Sequence, residues 1–253
     1  MDRRRRLRSA VIAFWNAQSV RNKRDELLAF IERYRVDVVL LSETWLDSVD
    51  ELKLPNFETY RHDRPTFGGG VAILCKRWID HMLTPTPALT TLEAISIVVN
   101  FEQGPVKIVS AYQTSSKSLV ADDIHRVFDS NIPVIVAGDL NAKHPSWNST
   151  KDNKRGRELF AIVEATNILA LGPKDHTHFP HNGDPSDVLD IALTKDIVHD
   201  AEVWSLAEMS SDHNPVILSL NGDEATRDLL SHSVTCWTDF SLKVGSSVPA
   251  LPD

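Results

Sequence analysis

Apolar positions along this chain fall in short blocks with two different periods. The blocks Val11–Trp15, Val36–Ser42, Val71–Cys75, Leu92–Asn100, Val106–Tyr112, Ile132–Ala137 and Pro215–Leu220 are rich in Val, Ile and aromatic residues and predict strands. Val36–Ser42 is almost wholly apolar, which predicts a strand buried on both faces. Glu58–His62, Ile168–Leu171 and Glu202–Leu206 are shorter blocks of the same kind. In Asp187–Thr194 the residues alternate, with Val188, Asp190 and Ala192 on one face and Leu189, Ile191 and Leu193 on the other. Helical spacing predicts Asn22–Tyr34, with Asn22 as N-cap and Leu27, Leu28, Ile31 and Tyr34 on one face. It also predicts Val120–Asp129, and Gly156–Ala165 with Leu159, Phe160 and Val163 inward. Glu102–Pro105 joins two of the strands as a hairpin turn.

About ten strands and three or four helices leave too few crossover helices for a purely parallel sheet. The expected α/β architecture is two mixed β-sheets packed face to face with helices outside. Residues 1–10 read as a basic N-terminal tail, 11–220 as the domain, and 221–253 as a loosely packed or disordered tail. The Arg3–Arg6 block suits nuclear entry, nucleic-acid contact or a solvated terminus. The apolar run after it is too short for a signal core or a membrane span, so the expected location is the nucleus or cytoplasm, without secretion. Two distant cysteines argue against a disulfide framework. The net charge of −8 argues against a broad, nonspecific nucleic-acid binder.

Polar residues recur where the apolar blocks end. Asn16, Glu43 and Tyr112 close three strands, and GDLNAKHPSW delivers Asp139 and Asn141 after a fourth. If the chain stays extended there, those two side chains point the same way. Asp190 lies inside an apolar block, and Asp212-His213 precedes the last one. Glu43, Asp139 and Asp212 are hard oxygen donors, suited to Mg²⁺ or Mn²⁺. His213 suits acid–base or electrostatic work, and Asp190 is a candidate to fix its tautomer. A cation beside a His–Asp pair fits phosphoester hydrolysis. These residues alone fit either a cut in DNA or the release of phosphate from a small or lipid ester.

The motifs WNAQSV, LLSETW, GGGVAI, AY, GDLNAKHPSW, DVLDIAL and SDHNPV occur in order between Ile12 and Leu220. On them the chain resembles the endonuclease/exonuclease/phosphatase superfamily, and more narrowly the apurinic-type endonuclease domain of non-LTR retrotransposons of the insect type. The resemblance implies a four-layer α/β sandwich and a Mg²⁺-dependent endonuclease that nicks DNA and leaves a 3′ hydroxyl. It implies Glu43 as main Mg²⁺ ligand with Asn16 and Asp212 nearby, and Asp139 as the residue that orients or deprotonates water. Asn141 would bond the scissile phosphate, and His213, held by Asp190, would stabilise the transition state. Tyr112 would contact a phosphate oxygen or assist the leaving group. Thr177 matches a position near the phosphate. Ser115, Lys143, Lys154, Arg155 and Arg157 are expected DNA or phosphate contacts. Thr114 and Ser115 stand where the family commonly has proline and asparagine, and Leu140 replaces a usual phenylalanine. The expected partner is DNA, with no membrane, and the chain is expected as a monomer or as part of a larger retroelement polyprotein. A phosphatase of the same fold and a nucleic-acid-binding remnant that does not cut are the competing readings.

Overall fold

The computed structural model describes residues 4–221, so the expected tail at 221–253 lies, beyond its first residue, outside the described residues. Among the described residues, twelve strands form two sheets of six. The first sheet contains β1 (Ala10–Asn16), β2 (Val38–Ser42), β3 (Phe57–His62), β4 (Val71–Lys76), β11 (Asp200–Ser205) and β12 (Val216–Asn221), in the order β11-β12-β1-β2-β4-β3. The second contains β5 (His81–Thr84), β6 (Leu92–Phe101), β7 (Gly104–Gln113), β8 (Val134–Asp139), β9 (Ile168–Leu171) and β10 (Asp190–Lys195), in the order β5-β6-β7-β8-β10-β9. Only β1–β2 and β7–β8 pair parallel; every other named pair is antiparallel.

Alternation along the strands builds three apolar layers. Phe14, Leu40, Ile73, Ile97, Ile108, Ile135 and Leu218 meet between the two sheets. The intervening residues Ala13, Val39, Leu41 and Leu74 face outward and are covered by Leu27, Phe30 and Ile31 of α1 (Arg24–Tyr34). On the far side, Val109, Val136, Ile191 and Leu193 are covered by α2 (Ala121–Phe128) and α3 (Lys154–Glu164). Both faces of the inner strands are therefore apolar, as Val36–Ser42 predicted. The result is the expected sandwich of two mixed sheets with helices outside.

Several local expectations change. Asn22 is not the cap of α1; it adopts φ +63° in a turn, and the helix starts at Arg24 with Lys23 in the capping position and no side-chain cap. Phe30, not Leu28 or Tyr34, completes the buried face of α1. Helix α3 begins at Lys154, because Asn153 caps it by accepting from the Gly156 amide at 2.7 Å. Its buried residues are Gly156, Leu159 and Ile162, with Phe160 and Val163 half-buried. The short edge strand β5 has no counterpart in the sequence reading. The basic segment before β1 is seated on the body: Leu7 is buried, and Arg4 pairs with Glu58 at 2.8 Å. Among the described residues no helix is long and apolar enough to cross a membrane.

Candidate active site

Strand direction explains why distant residues share one rim. β1 and β2 run parallel with Asn16 opposite Ser42, so Asn16 and Glu43 leave the sheet at the same end. β8 delivers Asp139 from its carboxyl end. β10 runs antiparallel to β8 with Asp190 directly opposite Asp139, so it contributes from its start. β12 is antiparallel to β1, which brings the segment before it, Asp212-His213, to the same place. The Trp15 indole donates to the His213 carbonyl at 2.9 Å, and the Ser211 hydroxyl donates to the Asn16 carbonyl at 2.9 Å, fixing that segment.

Asn16 bridges the acids. Its amide nitrogen donates to Glu43 Oε1 at 3.1 Å and to Asp139 Oδ2 at 2.8 Å, while its oxygen accepts from the Gln18 amide. Glu43 also accepts from Tyr112 Oη at 2.6 Å and from Trp45 Nε1 at 3.0 Å. Burial, reinforced by the Glu43 charge, raises the Tyr112 phenol far above its ordinary value, so it remains an O–H donor. Asp139 and Asn141 converge, but by a turn rather than by extended chain. β8 ends at Asp139, and Asn141 takes φ +48°. The backbone and side-chain amides of Asn141 then donate to the two Asp139 oxygens at 2.9 and 3.0 Å. Glu43 is also left-handed, at φ +49°, a conformation unusual outside glycine.

His213 lies among three aspartates. Its Nδ1 is 2.7 Å from Asp190 Oδ2, and its Nε2 is 3.9 Å from both Asp139 Oδ2 and Asp212 Oδ1. Burial opposes charge on the imidazole, but Asp190, Asp139 and Asp212 outweigh it and raise its pKa. Burial raises the Asp139 carboxyl, partly offset by His213. Asp212 is also desolvated, yet its contacts with His178 and His213 hold it below the usual carboxylate range. Thr177 is bonded to the start of β10. It is fully buried, and its hydroxyl accepts from the Leu189 and Asp190 amides at 3.0 and 3.1 Å. It therefore helps fix the backbone at Asp190.

The peripheral basic residues are mostly engaged. Lys143 pairs with Asp187 at 3.3 Å, Arg157 with Asp152 at 2.5 Å and Lys154 with Glu158 at 3.8 Å. Arg155 donates to the carbonyls of Asn141 and Ser115, both at 2.9 Å, tying the exposed 115–117 loop to the site. Ser115 thus contributes its carbonyl. His144 stacks on Phe160 at 4.1 Å, and Trp147 is fully buried, so HPSW plugs the layer under α3. His178 and Trp45 lie in the site although the sequence reading gave neither a part. Both adjoin residues it singled out, in THF and ETW, and that adjacency was the available signal.

The donor set suits a hard divalent cation. Glu43 and Asp212 present carboxylate oxygens, and Asp212 Oδ1 is buried without a hydrogen-bond partner. Asn16 shows the acids its nitrogen, so in this arrangement it holds the acids and does not offer them an oxygen.

Two sheets packed face to face, with acids and a His–Asp pair at one rim, form a site equipped for phosphoester hydrolysis. Residues 13–213 match the model of the Endonuclease/Exonuclease/phosphatase family. The chain belongs to that family. Among curated relatives, the probable RNA-directed DNA polymerase from transposon X-element of Drosophila melanogaster is 30% identical over 250 residues, covering 94% of this chain and 27% of that protein. The RNA-directed DNA polymerase from mobile element jockey of the same fly is 28% identical over 217 residues, covering 83% and 24%. The chain thus spans about a quarter of the length of these relatives. Among solved structures, the endonuclease domain of TRAS1, a telomere-specific non-LTR retrotransposon, superposes with TM-score 0.69 at 17% identity, covering 83% of this chain and 98% of that one. An AP endonuclease from Archaeoglobus fulgidus gives 0.64 at 12% identity, covering 83% and 99%.

Proposed function

We propose that this domain is a Mg²⁺-dependent DNA endonuclease that leaves a nick with a 3′ hydroxyl, used to prime reverse transcription by a retroelement. The observation that carries the hydrolytic part is His213, clamped by Asp190 at 2.7 Å and facing Asp139 across 3.9 Å. The DNA and priming parts are supported by relatives named as DNA polymerases of mobile elements and by the likeness to a retrotransposon endonuclease domain.

Glu43 and Asp212 would hold the cation, which supplies charge neutralisation at the phosphate when bound. Asp139, oriented by Asn16 and Asn141, accepts a proton from the attacking water. The water oxygen bonds phosphorus as the bond from phosphorus to the 3′ oxygen breaks. His213, held as the imidazolium by Asp190, donates from Nε2 to a phosphate oxygen as charge builds there. Asn141 positions the phosphate, and Tyr112 would turn its one O–H, donated to Glu43 at 2.6 Å in the free site, to a phosphate oxygen or the departing 3′ oxygen, which otherwise takes its proton from solvent water.

The test is nicking of supercoiled plasmid at low salt with Mg²⁺. The expected result is open circles that a polymerase extends without end treatment, and loss of nicking in Asp139→Ala and His213→Ala. Phosphate release from small esters without nicking would make the chain a phosphatase. Binding of DNA with no reaction, from a folded chain, would overturn the catalytic reading.

A further inference from the structure

His178 is unused by this mechanism, yet it is held as firmly as the catalytic residues. Its backbone forms single bridges to Asp187 on one side and His213 on the other. The Phe179 amide donates to the Asp212 carbonyl at 2.7 Å, and the Asn214 amide to the Thr177 carbonyl at 2.7 Å. Residues 177–179 thus act as a short rail that sets His178 beside Asp212 and His213. The two imidazole rings lie 4.4 Å apart, and His178 Nε2 is 3.5 Å from Asp212 Oδ2.

One ligand atom from each of His178, Asp212 and His213 lies within 4.8 Å of the others. Two neighbouring ligand atoms on a tetrahedral zinc ion sit roughly 3.3 Å apart, so only small side-chain movements would close the set. Two further observations point to a ligand. Asp212 Oδ1 has no hydrogen-bond partner although the side chain is only 10% exposed. His213 Nε2, on a ring with 5% exposure, faces the Asp139 and Asp212 carboxylates at 3.9 Å, beyond hydrogen-bond distance. The opposite nitrogen of His213 is bonded to Asp190, the outer carboxylate that commonly backs a metal-binding histidine. A cavity of about 490 Å³, with His178, Asp212, Asn141 and Lys143 in its walls, gives an ion and its remaining water a way in.

We propose that His178, Asp212 and His213 form a second cation site, selective for borderline divalent ions of the zinc class over Mg²⁺, whose occupancy silences the hydrolase. Two imidazoles and one carboxylate favour Zn²⁺ or Co²⁺, whereas Mg²⁺ prefers oxygen donors and sheds water reluctantly. An ion here takes His213 Nε2, the nitrogen meant for the phosphate, and shares Asp212 with the Mg²⁺ donors. The binding part stands on geometry alone; the silencing part rests on the function proposed above.

Co²⁺ added to the whole chain in excess Mg²⁺ is the direct probe, read by its visible ligand-field absorption and by calorimetry. The expected result is a tight component that Zn²⁺ displaces, weakened about tenfold or more in His178→Gln. Cys236 and the other histidines bind alike in both proteins, so the difference between them is the readout. Equal Co²⁺ binding by both overturns the site. If the variant melts early, Zn²⁺ protection of His178 from diethyl pyrocarbonate in the wild-type chain, read by peptide mass, replaces it; no protection overturns the site. Nicking in Mg²⁺ is then titrated with Zn²⁺, each protein scored against its own zinc-free rate. The half-inhibiting concentration is expected to rise about tenfold in His178→Gln. Zinc-insensitive nicking by a chain that binds Co²⁺ overturns the silencing. A chain that never nicks overturns the endonuclease reading instead and leaves the Co²⁺ result to decide the site.

Discussion

Asp190 is fully buried, and only one of its oxygens is bonded, to His213 Nδ1. An unpaired acid at such a position is costly, and the bond to the imidazole offsets that cost. Asp190→Asn keeps the shape but reverses the hydrogen-bond preference. It is expected to lower the nicking rate by about 10²–10⁴-fold, with a chain that still folds and still binds DNA. A rate within about threefold of wild type would remove Asp190 from the mechanism. The pairing itself was legible in the sequence, because an aspartate inside an apolar strand needs a partner and His213 was the available one. The parts of Thr177 and Asn16 were not legible. A hydroxyl or amide has both donor and acceptor faces, and only neighbouring backbone decides which is used and where.

At the scale of elements, one close approach positions the site and one set of hydrogen bonds ties a helix to a sheet. Gly138, between the last core residue of β8 and Asp139, has φ +147°, and a Cβ there would stand 2.0 Å from the Ala111 carbonyl oxygen. Gly138→Ala is expected to cost about 2–4 kcal/mol and to shift Asp139, reducing nicking more than chemical denaturation alone would account for. Full activity with unchanged stability would mean β7 and β8 can separate freely. The second device joins α2 to β6. Asp123 accepts from the amides of Thr90, Thr91 and Leu92 at 2.8, 2.7 and 3.1 Å. Burial opposes its charge, but those amides outweigh it and lower its pKa. A depressed carboxylate stabilises the fold above its unfolded pKa of about 3.9 and loses that effect as pH falls through its native value. Asp123→Asn is expected to lose about 2 kcal/mol, or about 4–8 °C in Tm, at neutral pH. The gap from wild type should close on acidification; a gap that stays constant down to pH 2 would contradict this. Periodicity located both partners, the helix and the strand, but not the bond between them, which spans more than thirty residues. It also missed β5, whose four residues carry too little pattern to register.

For the whole molecule, charge is the informative quantity. The net value is −8, and the basic groups nearest the site are already paired with acids or carbonyls. DNA must compete for them. The expected affinity is therefore modest, with a slope of log K against log salt of about −3 or shallower. Anisotropy of labelled duplex between roughly 50 and 200 mM salt measures it. A slope steeper than about −6 would reveal a basic surface that the described residues do not show.

The order of motifs determined the family, and the alternation of apolar residues determined two sheets with helices outside, because both are written locally. The chemistry-bearing types Glu43, Asp139, Asp190, Asp212 and His213 were legible for the same reason. Tertiary structure alone decided how they meet. Whether a residue reaches the rim from the end of a parallel strand or the start of an antiparallel one depends on pairing across the sheet. An isolated bridge outside the named strands set His178 against His213, and no local pattern encodes a contact between segments 35 residues apart.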